Sequence, residues 1–512
     1  MSEKTNKVRV RFAPSPTGPL HIGGVRTALY NYLFARHNGG KMILRIEDTD
    51  QNRYVPGAEK YIVDSLDWAG IRFDEGVHVG GPFAPYRQSD RKEIYRAYAD
   101  ELVSSGHAYF SFDTAEELDA RRKEAEKEKR VFTYDATVRM RMKNSLSLPQ
   151  EETRRRLESG ESYVIRFLIR ENETLIFQDL IRGEMNVHTS TLDDKVLFKS
   201  DGMPTYHLAN IVDDHLMEIS HVIRGEEWLP SLPLHILLYR GFGWQPPLFA
   251  HLPLILKPEG SGKLSKRDGD RLGFPVFPLE WKDPFTNEVS SGYRESGYFP
   301  ETVVNMLALL GWNPGTEKEI FSIEELINEF SIERVGKSGS RFDPAKIKWF
   351  NHYYLVNKPM EELIAMFHVT LKSKGIVASD AYVGRVVELV KDRSDFVSNF
   401  WDQSYFFFQP PQSYDMDIVR KKWNEDTPGL LSAFGELLYK IVDYRAEKIK
   451  LLAEEFVLEK GTGLGQLMNP LRLCLVGGSF GPDLSLICEL LGKDEVITRI
   501  SNALNIISKE MF

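Results

Sequence analysis

Strand-like and helix-like segments alternate over the first 75 residues of the chain. Val8, Val10 and Phe12 alternate with arginines, as in a strand, and a loop rich in proline and glycine then leads into helix-forming residues 25–36. A second strand is predicted over 42–46, followed by an amphipathic helix that a glycine closes. This order of elements predicts a parallel, doubly wound sheet of the Rossmann type.

The same alternation resumes near residue 201, after a segment of different texture. Residues 207–215 and 232–239 are predicted helices, and residues 219–223 and 252–255 are predicted strands. The intervening segment combines a charged helical run with β-rich stretches. We therefore expect an α/β fold whose sheet is split by an α+β insertion.

From residue 300 onward, nearly all periodic segments are helical. The expected organisation is a Rossmann-type domain over 1–110 and 200–262, an inserted domain over 111–199, a loop and mainly helical domain over 263–345, and an all-α C-terminal region over 346–512. We expect two lobes in the last region, joined near Pro410–Pro411 and Pro428–Gly429, because proline and glycine interrupt helices.

Capping residues predict where two helices begin. Ser322 and Glu325 have the spacing of a capping box, in which each side chain binds the other residue's backbone N–H. Ser89 is expected to cap an earlier helix in the simpler way, through its hydroxyl alone.

The composition excludes several classes of protein. The formal net charge is −9, which argues against nonspecific coating of DNA, so any nucleic acid must meet local basic patches. The two cysteines, Cys474 and Cys488, are too few for a disulfide framework or a four-cysteine metal site, and we expect reduced core thiols. The charged N-terminus and the lack of long apolar runs predict neither export nor a membrane span, and therefore a cytoplasmic protein.

Two short motifs have the chemistry of a phosphate site. His21–Ile22–Gly23–Gly24 lies where the first strand passes into the first helix, a place where backbone N–H groups and the helix dipole favour an anion. Lys263–Leu264–Ser265–Lys266–Arg267 follows the last predicted strand, and Lys266 suits the charge that develops on a departing pyrophosphate. Each motif alone also fits a plain turn or a solvated surface, but the pair favours a nucleotide site.

Longer segments extend the pattern over the whole chain. They are Arg11–Gly18, Arg45–Asp50, Gly80–Pro82, Tyr86–Ser89, Lys199–Gly202, Thr205–Asn210, Asp213–His215, Arg224–Trp228 and Asn469–Arg472. Together with the two phosphate motifs they make the chain resemble the bacterial-type glutamyl-tRNA synthetases, a family of class I aminoacyl-tRNA synthetases.

The resemblance implies an activity and a set of ligands. In this family the α-carboxylate of glutamate attacks the α-phosphate of ATP, and the glutamyl-adenylate then esterifies the terminal adenosine of tRNA. The implied ligands are L-glutamate, ATP with Mg²⁺ and the tRNA for glutamate, and a monomer is expected. The insert would bind the acceptor stem, the domain over 263–345 would contact the stem, and the region over 346–512 would bind the anticodon.

The resemblance also assigns roles to individual residues. Catalytic roles fall on His21, Gly23, Lys263, Ser265 and Lys266. ATP-binding roles fall on His21, Gly23, Gly24, Glu227, Trp228, Leu254, Ile255 and Lys266. Glutamate-binding roles fall on Arg11, Ala13, Ser15, Glu47, Tyr206, Asn210 and Arg224, and a tRNA-binding role falls on Arg472.

The charges of the glutamate set fit the ligand. Glutamate carries two carboxylates and one ammonium, which Arg11, Arg224 and Glu47 complement. Which arginine takes which carboxylate stays open. For Arg224 the alternative is an ion pair with a neighbouring glutamate, Glu226 or Glu227. For Arg472 the alternative is a capping or ion-paired arginine.

Two departures from the wider family pattern carry expectations of their own. Gly24 stands where the class I motif has a second histidine, so any phosphate contact there must come from the backbone. The insert contains no cysteine, so no zinc site, and no protein-bound metal, is expected.

Other functions fit the sequence less well. A glutaminyl-tRNA synthetase shares the catalytic architecture but typically has a β-barrel anticodon domain in place of the helical C-terminal region. A small-molecule nucleotidyltransferase would be much shorter, and an inactive RNA-binding module would not need His21, Gly23 and Lys266 together. Whether glutamine tRNA is also charged stays open.

Overall fold

The computed structural model describes residues 7–170 and 173–511, and the chain divides into two compact units, Met1–Ile347 and Lys348–Phe512. Its strands are β1 (Arg9–Phe12), β2 (Lys41–Leu44), β3 (Glu75–Gly76), β4 (Ala108–Ser111), β5 (Val164–Phe167), β6 (Thr174–Asp179), β7 (Gly183–His188), β8 (Val196–Phe198), β9 (His221–Gly225), β10 (Leu248–Leu252), β11 (Ile255–Leu256), β12 (Trp281–Lys282), β13 (Val289–Ser290) and β14 (Ser340–Arg341).

Helices cover the sheets of the first unit and make up the second. Those that begin in the first unit are α1 (Ile22–His37), α2 (Ala58–Trp68), α3 (Lys92–Ser104), α4 (Ala115–Lys127), α5 (Ala136–Arg139), α6 (Gln150–Glu158), α7 (Tyr206–Leu216), α8 (Leu232–Gly241), α9 (Lys266–Leu272), α10 (Pro300–Leu309), α11 (Ile323–Glu329) and α12 (Pro344–Asn357). The others are α13 (Met360–Ser373), α14 (Asp380–Val390), α15 (Asn399–Ser404), α16 (Met416–Lys422), α17 (Thr427–Lys440), α18 (Ala446–Glu459), α19 (Leu464–Val476), α20 (Leu484–Leu491) and α21 (Lys493–Met511).

The predicted parallel, doubly wound sheet is confirmed. Strands β1, β2 and β3 form one parallel ladder, and β9, β10 and β6 form another that β7 extends in the antiparallel sense. Edge strand β1 meets β9 through Arg9, whose backbone oxygen accepts a hydrogen bond from Ser220 N at 3.0 Å. The strand order therefore reverses between β1 and β9, which is where open α/β sheets bind their ligands.

Strand β1 is buried on both faces, although arginines and apolar residues alternate along it. All four of its residues are buried. Arg9 binds Glu75, with Nη1 2.8 Å from Oε1, and Arg11 binds Asp214. The alternation therefore marks paired charges inside the fold rather than a solvated face.

The insert forms its own antiparallel sheet and also extends the main one. Strands β4, β5 and β8 form the separate sheet. Strand β6, which lies within the expected insert, instead runs parallel to β10, with Asp179 opposite Phe249. The hairpin of β6 and β7 thus belongs to the sheet that carries the site.

Several local predictions need correction. Ser89 lies inside a 3₁₀ turn and does not cap α3, which begins at Lys92. The strand expected over 252–255 is two strands, because β10 ends at Leu252 and β11 starts at Ile255. The capping box of Ser322 and Glu325 is confirmed at the start of α11.

The second unit is entirely helical in its described residues, as expected. The division of this region into two lobes stays a prediction. Pro428 lies in the first turn of α17, where proline is compatible with a helix because the missing N–H has no partner there. Cys474 and Cys488 are buried free thiols. Within the described ranges, no helix has both the length and the apolar character needed to span a bilayer.

Candidate active site

A cavity of about 690 Å³ opens at the carboxyl ends of β1 and β9, the predicted place for a ligand. Its lining includes all of the residues predicted to bind glutamate, which are Arg11, Ala13, Ser15, Glu47, Tyr206, Asn210 and Arg224. It also includes the predicted nucleotide residues His21, Gly23, Gly24, Glu227, Trp228, Leu254, Ile255, Lys263 and Ser265. The structure therefore brings the predicted glutamate and nucleotide residues, from both the start and the later part of the first unit, to one cavity.

His21 caps helix α1 and keeps one ring nitrogen available. Its Nδ1 accepts a hydrogen bond from Gly23 N at 3.1 Å. Burial, assisted by the charge of Lys263, lowers the pKa of His21 to about 4. The imidazole is therefore neutral with its proton on Nε2, which is buried and has no partner among the described residues. This N–H can donate to an anionic ligand.

The backbone N–H groups of Gly23 and Gly24 are both engaged by His21. Gly24 N donates to His21 O at 2.8 Å, and the N–H of Gly23 is used by the His21 ring. A Cβ atom at Gly24 would lie 2.5 Å from Leu20 Cδ1. A side chain at position 24 would therefore require Leu20 to move.

Arg11 is neutralised by a buried carboxylate. Its Nε and Nη2 lie 3.0 and 3.2 Å from the two oxygens of Asp214. Asp214 Oδ1 also accepts from Arg45 Nη1 at 2.8 Å. Burial alone would raise the pKa of Asp214, but the two guanidinium groups hold it below its ordinary value. Arg11 thus contributes little free charge to the cavity.

Glu47 offers one carboxylate oxygen to the cavity. Its Oε1 accepts from Arg45 Nη2 at 2.9 Å and from Asn210 Nδ2 at 3.1 Å. Its Oε2 has no hydrogen-bond partner in the part of the chain that the structure describes. Burial raises the pKa of Glu47 against the opposing effect of Arg45 and Arg11. An ammonium group bound at Oε2 would favour the ionised form of Glu47.

Among the described residues Arg224 has no carboxylate partner, so the alternative of an ion pair with Glu226 or Glu227 is wrong. Its Nη1 donates to Tyr206 Oη at 2.9 Å, and its Nε donates to His251 Nε2 at 3.0 Å. Glu226 pairs with Arg182, and Glu227 lies 3.4 Å from Lys263 Nζ. The positive charge of Arg224 is therefore uncompensated by its direct contacts.

Lys266, which the sequence assigns to the β- and γ-phosphates, does not line the main cavity. It is the first residue of α9, and its Nζ lies 3.1 Å from Glu288 Oε1. It lines a separate, smaller cavity. Ser265 does line the main cavity, and its hydroxyl donates to Asp268 Oδ2 at 2.6 Å in a capping box. Ser265 and Lys266, although adjacent in sequence, thus face different surroundings.

The predicted adenine and ribose residues lie on one side of the cavity. Trp228 is 39% exposed, and its ring centroid lies 4.2 Å from that of Tyr206. Leu254 and Ile255 join β10 to β11. An exposed aromatic ring beside apolar side chains suits a nucleobase.

Arg472 lies in the second unit, on α19, and its Nη1 donates to Phe480 O at 3.0 Å and to Pro482 O at 2.8 Å. It also lines a cavity of about 310 Å³ with Lys450 and Asn469. The structure therefore gives this arginine a local role in holding a loop.

Sequence reasoning missed several side chains that line the cavity or support the residues that line it. They are Arg26, Arg45, Asp179, Asp214, His235 and His251. Arg45 and Asp214 lie in segments that already matched the family, so a search for charge partners of Arg11 could have found them. His251 and Asp179 have no such signal in the sequence.

The described residues contain no group of three or more His, Cys, Asp or Glu side chains that could hold a metal ion. The predicted absence of zinc stays a prediction.

Comparison with family models identifies both units. Residues 7–349 match the catalytic domain of class I tRNA synthetases of the E and Q type, and residues 360–504 match an anticodon binding domain.

Comparison with individual proteins gives a consistent result. A glutamate–tRNA ligase of Christiangramia forsetii is 57% identical over 98% of this chain and 99% of its own length. One of Porphyromonas gingivalis is 58% identical over the same shares. The crystal structure of a glutamate–tRNA ligase from Elizabethkingia meningosepticum, in complex with its amino acid, superposes with a TM-score of 0.96 at 51% identity, covering 98% of this chain and 100% of that one.

Proposed function

The chain belongs to the glutamate–tRNA ligase family of class I synthetases, and we propose that it attaches glutamate to tRNA in two ATP-dependent steps. The α-carboxylate of glutamate attacks the α-phosphorus of ATP, and the bond to the departing pyrophosphate breaks. A ribose hydroxyl of the terminal adenosine of the tRNA then attacks the acyl carbon, and AMP leaves. The alternative of a glutaminyl-tRNA synthetase is not favoured, because the relatives named above are glutamate–tRNA ligases.

The observation that carries this proposal is the uncompensated charge of Arg224. A buried guanidinium without a carboxylate partner favours a ligand that supplies one. Tyr206 Oη accepts from Arg224, which leaves the hydroxyl proton of Tyr206 free to donate to the same ligand group. We assign the side-chain carboxylate of glutamate to this pair, and the ammonium group to Glu47 Oε2.

The nucleotide occupies the His21 side of the cavity in this proposal. The Nε2–H of His21 donates to a phosphate oxygen, and Trp228, Leu254 and Ile255 surround the adenine and ribose. Lys266 leaves Glu288 when ATP binds and follows the β- and γ-phosphates. An exposed ion pair of this kind contributes little stability, so the rearrangement is energetically accessible.

Catalysis then depends on positioning and charge rather than on a protein nucleophile. The two reactants are held in one cavity, and the cations around it stabilise the charge on the pentacovalent phosphorus. ATP is proposed to carry Mg²⁺ on its phosphates, and no step is assigned to a metal held by the protein.

The remaining assignments concern tRNA and the state of the enzyme. We propose that residues 111–199 bind the acceptor stem, that residues 263–345 contact the stem, and that the helical unit binds the anticodon, with Arg472 contributing. We also propose a cytoplasmic monomer without zinc. Light scattering and elemental analysis of the purified protein test the last two points.

The decisive experiment is aminoacylation of purified glutamate and glutamine tRNAs, side by side, with radiolabelled glutamate and glutamine. We expect ATP-dependent charging of glutamate tRNA with glutamate. Charging with glutamine, or no charging, would overturn the proposal. Charging of glutamine tRNA with glutamate would support the proposed reaction and show that the enzyme accepts more than one tRNA.

A further inference from the structure

A buried series of hydrogen bonds runs from Arg224, away from the cavity, to a carboxylate on another strand. Arg224 Nε lies 3.0 Å from His251 Nε2, and His251 Nδ1 lies 2.6 Å from Asp179 Oδ2. His251 and Asp179 are almost completely buried. Neither residue lines the cavity, whereas Arg224, which donates to His251, does.

The hydrogen-bond pattern determines which nitrogen of His251 carries the proton. A guanidinium can only donate, so His251 Nε2 must accept. The proton of the neutral imidazole is then on Nδ1, which donates to Asp179. Asp179 Oδ1 is itself held by the backbone N–H groups of Ile181 at 3.0 Å and Arg182 at 2.8 Å. The carboxylate thus sets the tautomer of His251, and His251 sets the orientation of Arg224.

The partners of Arg224 differ in charge from those of its neighbour in the cavity. Arg11 binds both oxygens of Asp214, an anion. Arg224 binds the rings of His251 and His235, the latter with Nη1 3.4 Å from Nδ1. Uncharged acceptors orient a guanidinium without cancelling its charge. The arrangement therefore keeps Arg224 both fixed and fully charged.

We infer that Asp179 and His251 are positioning residues for glutamate recognition, acting through Arg224 and without touching the substrate. The inference rests on the proposed function, which supplies glutamate as the substrate. It assigns part of the amino-acid specificity to strand β6, although Asp179 precedes Arg224 by 45 positions and belongs to the segment expected as an insert.

An isosteric substitution tests the tautomer argument directly. In Asp179→Asn the amide N–H donates to His251 Nδ1, which moves the imidazole proton to Nε2 and brings two donors face to face at Arg224. We expect the KM for glutamate to rise about ten- to a hundredfold, with a smaller change in kcat. The KM for ATP should stay near the wild-type value.

Two substitutions of His251 separate positioning from stability. His251→Leu removes the acceptor and should raise the KM for glutamate as Asp179→Asn does. His251→Gln keeps an acceptor oxygen near the place of Nε2 and should restore most of the glutamate affinity. His221→Leu, at the opposite end of β9, is the matched control and should leave the KM for glutamate unchanged.

The double variant Asp179→Asn with His251→Gln completes a double-mutant cycle with the two single variants. A glutamine has no tautomer to set, so the effect of Asp179→Asn should largely vanish in that background. An effect that persists unchanged would overturn the inference, since it would come from the loop that Asp179 holds.

Thermal melting of every variant accompanies the kinetics. If the variants melt at a lower temperature but keep a KM for glutamate within twofold of wild type, the inference is overturned. Asp179 and His251 would then contribute to stability only. If Asp179→Asn does not fold, the inference is tested by comparing His251→Leu with His251→Gln. Equal KM values for glutamate in these two variants would overturn the inference. A wild-type enzyme that charges no glutamate would instead overturn the proposed function.

Discussion

Asp214 binds Arg11 with both carboxylate oxygens, at 3.0 and 3.2 Å, in a part of the sheet that is closed to solvent. The same carboxylate also binds Arg45, which in turn binds Glu47, so Asp214 connects two buried guanidinium groups in one charge cluster. Removing a charge from such a cluster leaves the others uncompensated, which is among the most destabilising changes a core can undergo.

We therefore predict that Asp214→Asn lowers the free energy of unfolding by about 3–5 kcal/mol. Chemical denaturation followed by circular dichroism measures this. Asp64→Asn is the matched control, because Asp64 makes only an exposed ion pair with Lys60 and should cost less than about 1 kcal/mol. Equal effects of the two substitutions would contradict the role given to Asp214.

The second prediction concerns glutamate against glutamine. A neutral amide in place of the carboxylate leaves Arg224 buried without a counter-charge, which costs several kcal/mol, so glutamine should be rejected by at least about a thousandfold. Arg224→Gln should reduce kcat/KM for glutamate steeply and that for glutamine little. Steady-state kinetics with both amino acids check this, with Arg240→Gln, an exposed arginine on α8, as control. An unchanged preference in Arg224→Gln would sink the idea.

Lys266→Ala is expected to lose about 2–4 kcal/mol of transition-state stabilisation, mainly in kcat, with glutamate binding little changed. The measurement is tRNA-dependent ATP–pyrophosphate exchange. Lys282→Ala, on β12, controls for the loss of a nearby lysine. Glu288→Gln should not lower the exchange rate, since it only releases Lys266. A near wild-type rate in Lys266→Ala would remove the lysine from its proposed role.

Stability should fall in mild acid because buried histidines stay neutral in the folded state. Burial, with contributions from Lys195 and Arg224, lowers the pKa of His207 to about 4, whereas an unfolded histidine titrates near 6.5. The unfolded state therefore binds more protons between pH 6.5 and 4. The stability that is present above pH 6.5 is lost as the pH falls through this window.

The shifted pKa of His207 alone should make the free energy of unfolding about 2 kcal/mol lower at pH 5 than at pH 7. Urea unfolding at the two pH values measures the difference, which should be smaller in His207→Gln than in wild type. His188→Gln, at an exposed position, is the control. A pH difference that is the same in all three proteins would rule out His207 as a source.

For Arg472→Ala we predict two separate effects. The carbonyls of Phe480 and Pro482 lose a donor, which should lower the free energy of unfolding by about 1–2 kcal/mol. The KM for tRNA should also rise, and the remaining affinity should depend less on salt concentration. Arg420→Ala, an exposed arginine of the same unit, controls for the loss of charge. If the folded variant kept a normal KM for tRNA, Arg472 would be structural only.

The sequence alone predicted those parts of the fold and the site that depend on local patterns of residues. The alternation of elements predicted β1, α1 and β2, and the strand-to-helix motif predicted the place of His21 at the mouth of the sheet. The sequence predicted that residues following β1 and residues following β9 share one cavity. This prediction was possible because parallel strands present their carboxyl ends at one edge of the sheet.

The rest depends on contacts that no local pattern encodes. The partners of Arg224 come from residues 179, 235 and 251, on three different elements, and their roles follow from which atoms meet. The ion pair of Lys266 with Glu288, on a later hairpin, likewise has no local signal in the sequence. Ser89 has the right chemistry for a cap, but a 3₁₀ turn precedes α3.

The pairing of β6 with β10 bears on how such an enzyme can be engineered. Segment 111–199 resembles a module that could be exchanged between relatives to graft a new acceptor-stem preference. A graft at those boundaries would, however, also replace the strand next to β10 and the carboxylate of Asp179 that ends it. A chimera that keeps residues 174–188 from the host, and exchanges the remainder of the segment, leaves the edge of the catalytic sheet intact.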